Sequence, residues 1–220
     1  TEDDGYNPAP IDNVDMNGSD FLEAVQTESK TELSRLGSSK SLYADTEGEM
    51  EPDAVLGAAA DNAHHAAETF DGWADDDDIE GAFAAAAEAE RDHYDAIAGK
   101  LDDHEPGTPP AVVEFLRGLP AGVERLGGLV GWTLVTEEKA SQSTGFFTGQ
   151  ADPQTASLFR GFGGDYEETR ETALGALETA CESDEERERA RTAATNAVEA
   201  AYDEYFETLE ELGVNPKPVC

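Results

Sequence analysis

Between Ile79 and Leu101 the apolar positions recur at helical steps: Ile79, Phe83, Ala86, Ile97 and Leu101. Glu90 and His93 occupy the two remaining places on that stripe. Steps of three and four put all seven side chains on one helix face. Upstream, Val55, Ala59, Ala63, Ala66, Phe70 and Trp73 form a second stripe, with Pro52 suited to its first turn, and "ADDDD" separates the two. A long segment from Ala121 carries Leu126, Leu129, Thr133, Glu137, Ala140, Thr144 and Phe147 on one side. After the turn "TGQADPQ", Asp152 is placed to cap and Pro153 to open a helix that turns Leu158, Phe162, Asp165, Thr169, Ala173, Ala176 and Ala180 inward. Ser183 and Glu186 form a capping box for a last helix bearing Ala190, Ala197, Ala201, Tyr205, Leu209 and Leu212, which Gly213 stops.

The flanks are less regular. "TEDDGYNPAPIDNVDMNGSD" has few periodic apolar residues and reads as an extended arm over 1–18. A helix then starts with Asp20 as cap and Glu23 three residues on, and carries Leu22, Val25, Leu33 and Leu36 until "LGSSKS" interrupts it. "EPGTPPA" is a proline-rich crossover followed by a short helix around "VVEFLRGL". No stretch alternates with period two over a strand's length. The expectation is an all-α chain with one helical-bundle domain over 19–213 and an extended tail over 214–220.

Charge narrows the function. With 50 acidic against 14 basic residues the formal net charge is −36. Such a surface repels phosphate backbones and anionic membranes, so direct nucleic-acid binding is not expected. Periodic apolar stripes argue against disorder, and the pattern fits a folded halophilic protein whose self-repulsion is screened by concentrated salt. Cys181 and Cys220 form no metal-binding spacing. No window approaches a membrane span and no signal segment opens the chain, so a cytoplasmic location is expected.

Shifting the chain by 75 residues lays Phe83 over Leu158, Glu90 over Asp165 and His93 over Glu168. Each of those helices follows another across a short turn. Two hairpins joined by a long crossover are the plan of a ferritin-like four-helix bundle, here with additional N- and C-terminal helices.

"FDGWADDDDIEGAFAAAAEAERDHY" resembles the first half of rubrerythrins, within the ferritin-like superfamily. The likeness lies in an aromatic-x-x-aromatic-Ala run, a turn, an Ile and Phe four apart, and Ala-x-x-Glu-x-x-His. Val55 to Leu101 carry it directly, and the internal repeat extends it to Glu182. It implies a carboxylate-bridged iron or manganese pair used in oxidant handling, with one carboxylate and one Glu-x-x-His from each hairpin. Carried over, Glu90 and His93 match the first motif, with Asp61 the facing carboxylate and His64, His65 and Glu68 alternatives nearer the turn. In the second hairpin Glu137 is the facing carboxylate and Asp165 takes the Glu position. Glu168 stands where the family has its second His, a departure from the pattern. With only two cysteines, the rubredoxin-like iron centre is absent.

The chain also resembles, through "TELSRLGSSKSLYA", "GFFTGQADPQTASLFR" and "NPKPVC", a haloarchaeal family that carries the name transcription antitermination protein. Two functional readings stay open. The bundle holds a metal pair, or its site has decayed and it is a helical interaction protein whose termini dock a partner. Self-association is open under either.

Overall fold

A computed structural model describes residues 17–216. Among these there is no strand; the chain forms nine α-helices and one 3₁₀ turn. α1 (Gly18–Glu28), α2 (Lys30–Leu36) and α3 (Ser39–Asp45) are short and lead into α4 (Pro52–Asp77) and α5 (Ala82–Ala98). α6 (Ala111–Arg117) follows the crossover, then come α7 (Val123–Gly149), α8 (Pro153–Ala180) and α9 (Asp184–Glu211).

α4 and α5 pack along each other as one hairpin, and α7 and α8 as a second. The hairpins meet where α5 touches α8 and α4 touches α7. α9 lies along α7, and α1, α2, α3 and α6 cover the remaining apolar edges. α7 is therefore surrounded, and every residue from Leu126 to Thr136 is buried. The sequence "LGGLVGWTLV" suits that place because it is apolar on all sides. The one-sided stripe expected for α7 describes only part of its burial.

Glycine sets how closely α7 and α9 approach. A Cβ on Gly127 would stand 2.0 Å from the Ala190 carbonyl oxygen, and one on Gly131 would stand 2.2 Å from that of Ala194. Only hydrogen fits there.

The α4–α5 turn uses backbone of the opposite hand: Glu80 has φ 52° and Gly81 φ 77°. Asp78 Oδ1 accepts from the backbone N–H of Phe83 at 3.0 Å, which satisfies an orphan donor of α5. Asp152 caps α8 and Ser183 caps α9, as their sequences suggest.

Several elements differ from the pattern-based expectation. α1 begins at Gly18, capped by Asn17, whose side chain accepts from the Asp20 N–H at 2.9 Å; Asp20 lies in the first turn. "SKSLYAD" forms α3, where an interruption was expected. α8 buries Phe159, Phe162, Tyr166, Arg170, Ala173 and Leu177, a face turned from the expected one, and Asp165 sits at its edge. Most of the arm, 1–16, and residues 217–220, including Cys220, lie outside the described residues. The start of the tail folds back: Val214 N–H donates to Leu209 O at 2.8 Å across Gly213 (φ 70°), and Lys40 Nζ donates to Asn215 O at 2.8 Å. Cys181 is buried. No helix among the described residues is long and apolar enough to cross a membrane.

Candidate functional site

The stripe on α5 faces inward along its length, and Glu90 and His93 are 1% and 3% exposed. Three residues apart on one helix face, they touch each other: the His93 Nδ1–H donates to Glu90 Oε1 at 2.8 Å. The other ring nitrogen, Nε2, donates across to Asp165 Oδ2 on α8 at 3.0 Å. Phe162 lies against the imidazole with ring centroids 4.0 Å apart, and Tyr166 meets it edge-on at 5.2 Å. The imidazole is thus clamped by carboxylates at both ends and aromatic rings on its flanks, and it ties one hairpin to the other.

An imidazole that donates from both nitrogens is an imidazolium. Burial opposes that charge, but the hydrogen bonds and charges of Glu90 and Asp165 outweigh it and hold His93 above the usual histidine value. Glu90 is pushed above the ordinary carboxylate range by burial, which His93 only partly offsets. Its second oxygen, Oε2, is buried with no hydrogen-bond partner. Leaving that oxygen dry and unpaired is the cost of the arrangement, and His93 on Oε1 offsets only part of it. Tyr166 is held well above its usual value by burial, with the nearby Glu90 and Asp165 charges acting in the same direction.

Asp165 is different in kind. Its side chain is 53% exposed. It stands at the mouth of a groove of about 330 Å³ between α5 and α8. Glu88, Asp92, His93 and Glu168 also line that groove. Glu168 lies near Asp165 on the same exposed edge. Of the positions that the 75-residue register pairs, Glu90 and Asp165 both contact His93, and His93 and Glu168 line the same groove.

Of the remaining sequence candidates, Glu137 and Asp61 lie elsewhere, and the alternatives His64, His65 and Glu68 cluster with one another on α4. Glu137 accepts from Arg170 Nη1 at 2.7 Å. Arg170 is 7% exposed, a nearly buried cation five residues beyond Asp165 on α8. Asp61 secures the crossover, accepting from His104 Nε2 at 3.0 Å and from the Gly107 N–H at 2.9 Å through the same oxygen.

This donor set does not fit a carboxylate-bridged metal pair. Glu90 and Asp165 engage opposite nitrogens of one ring, so an ion on either nitrogen is remote from one of them. Glu137 is committed to a guanidinium, and Asp61 to the crossover. Within the Glu90–His93–Asp165 network, the orphaned Glu90 Oε2 is the atom that would welcome a cation. Pattern reading found Glu90, His93 and Asp165. It missed Arg170 and Tyr166, whose burial shows only in where they fall relative to Phe159 and Phe162.

No family model matches the chain, and no curated protein or solved structure is significantly similar to it.

Proposed function

We propose that the chain is a non-catalytic helical-bundle protein on the rubrerythrin-like, ferritin-like plan. In it an internal charge network has taken the place of an iron or manganese pair, and the protein works by binding another protein. The packing of two hairpins across a long crossover, with Glu-x-x-His on an inward face, supports the plan. The observation that carries the loss of the metal pair is the Glu137–Arg170 ion pair. A fixed cation occupies the carboxylate that the second half of such a centre would need, and it would repel an incoming ion. The network Glu90–His93–Asp165 then acts as a buried strut between hairpins.

The net charge of −36 supports a setting of concentrated salt and argues against nucleic acid as a direct partner. Among the described residues only Met50 and Leu212 are exposed large hydrophobics, which favours a partner met mainly through polar and charged contacts. Any role in transcription would on this reading run through such a partner.

The test is elemental analysis of protein purified without chelator in concentrated KCl. The expected result is iron and manganese far below one per chain, and no rise in Tm on adding Fe(II). About two such ions per chain, lost together in Glu90→Gln and His93→Gln, would overturn the proposal. For the partner, affinity capture with the intact chain should recover a protein that a chain lacking residues 213–220 does not, at unchanged helicity.

A further inference from the structure

Three of the four histidines in the sequence lie outside the Glu90–His93–Asp165 network. Two of them, His64 and His65, are adjacent on α4. His64 and Glu68 are four residues apart and His65 and Glu68 three apart, so Glu68 lies one turn on, between the two imidazoles. His64 Nε2 stands 3.5 Å from Glu68 Oε1, and His65 Nδ1 stands 3.6 Å from Glu68 Oε2. One ligand atom from each residue lies within 4.8 Å of the others. Ligand atoms around a tetrahedral zinc ion are about 3.4 Å apart, from bonds of about 2.0–2.1 Å. Each imidazole thus stands near that spacing from its own Glu68 oxygen, and side-chain rotation with no change of backbone suffices to bring one donor from each residue, already within 4.8 Å, onto a face of such a tetrahedron.

His65 is oriented by its far nitrogen. Nε2–H donates to the Gly107 carbonyl of the crossover at 2.8 Å. That bond turns the Nδ1 lone pair toward Glu68, where Arg117 also reaches it. A histidine held through its outer nitrogen by a backbone carbonyl is the arrangement that fixes tautomer and ring direction in metal sites. His64 rests against the Tyr94 and His65 rings, with centroids 5.3 and 5.0 Å apart. Glu68 is more than half exposed, so an ion reaches the cluster without unfolding.

We infer that His64, His65 and Glu68 form a binding site for one divalent transition-metal ion of the zinc class, with water completing its coordination. Two imidazoles and one carboxylate select zinc, cobalt, nickel or copper over magnesium or calcium, which prefer all-oxygen shells. The site is separate from the Glu90–His93–Asp165 network and independent of the function proposed for it.

The cluster has a built-in competitor. Arg117 on α6 brings Nη2 to 3.4 Å from His65 Nδ1 and 3.5 Å from Glu68 Oε2, while its Nε donates to Thr69 Oγ1 at 3.1 Å. The guanidinium thus occupies two of the acceptors that the ion would use. Metal and Arg117 exclude each other, and binding releases this tie between α6 and α4.

The full-length protein is titrated with Co²⁺ and Zn²⁺ in concentrated KCl containing excess Mg²⁺, which saturates adventitious carboxylates. Visible Co²⁺ absorption reports ligand field, and calorimetry reports stoichiometry. One ion per chain is expected. His64→Ala and His65→Ala should each weaken it by about tenfold or more. Arg117→Ala should tighten it by about tenfold, because a cation next to the ion is removed. Glu68→Gln keeps the shape of the side chain and should also weaken binding, which covers a folding defect in either histidine variant. His93→Gln should leave the titration unchanged. Binding that survives both histidine substitutions, that is indifferent to Arg117→Ala, or that is absent in wild type would overturn the site.

Discussion

Replacing Gly131 with alanine probes one of the two close approaches between α7 and α9. In an exposed helix interior, alanine in place of glycine stabilises by up to about 1 kcal/mol. At Gly131 the new Cβ would meet the Ala194 carbonyl oxygen at 2.2 Å and its carbonyl carbon at 2.9 Å. Both are backbone atoms of a helix, so no rotamer change relieves the contact and α9 must shift along much of its length. Overpacking of this kind costs about 1–3 kcal/mol, with more where the obstacle is rigid. The net expectation for Gly131→Ala is a loss of about 1–2 kcal/mol or more after the propensity gain. Gly161 on α8 supplies the control, because a Cβ there meets nothing within 4 Å. Gly161→Ala should stabilise by about 0.5–1 kcal/mol. The same chemical change therefore gives opposite signs at the two positions. Each kcal/mol moves Tm by about 2–4 °C in a chain of this size. Thermal and urea unfolding at fixed high salt measure both variants. A Gly131→Ala protein as stable as wild type would refute the α7–α9 packing described here.

Three further outcomes follow from the same structure. His93 is held above its usual pKa, so the stability it contributes is fully present below the ordinary histidine range and is lost as pH rises through the raised value; Glu90, also raised, acts in the same direction from the carboxylate range upward. Stability should thus decline on the alkaline side by at most about 1.4 kcal/mol per pH unit for each proton released, and His93→Gln should flatten that decline in urea titrations; an equally steep curve in the variant would contradict it. Asp61→Ala removes the acceptor for both His104 and the Gly107 N–H, and should cost about 1–2 kcal/mol and speed proteolysis between Gly99 and Pro110, whereas an unchanged cleavage rate would show that the crossover is held by other contacts. Lowering KCl should unfold the chain through unscreened repulsion among its 50 acidic residues, and a Tm independent of salt would sink that expectation.

The sequence made the α5 stripe legible because Phe83, Ala86 and Ile97 contrast sharply with the charged residues around them. Glu90 and His93 then stood out as polar members of an apolar face. α8 was harder. Its Ala, Thr and Gly residues offer little contrast, so a face through Leu158, Phe162 and Asp165 is as plausible on pattern as the one through Phe159, Phe162 and Tyr166 that packs. That rotation puts Asp165 at the edge of the interface and brings Arg170 inside. A long cation is ordinarily assigned to solvent, and only the position of Glu137 on the neighbouring helix explains its burial. α3 was hidden for a local reason: Gly37 and three serines read as a break, while Leu42 and Ala44 find their burial against helices far along the chain. Asp61 shows the limit of reflecting positions across a turn. That operation does not fix the height on α4: Arg91 meets Asp71 and His64 lies against Tyr94, while Asp61 meets the crossover loop.

His93, set between Glu90 and Asp165, joins the hairpins as a charged imidazolium on this reading. Side-chain ¹⁵N NMR of the histidines at pH 7, with His93 assigned by its loss in His93→Gln, tests it directly. Two protonated ring nitrogens with imidazolium shifts, unaltered by Fe(II) or Mn(II), are predicted. A neutral ring with one unprotonated nitrogen, or a His93 signal shifted or broadened away by a stoichiometric amount of either metal, would contradict the account.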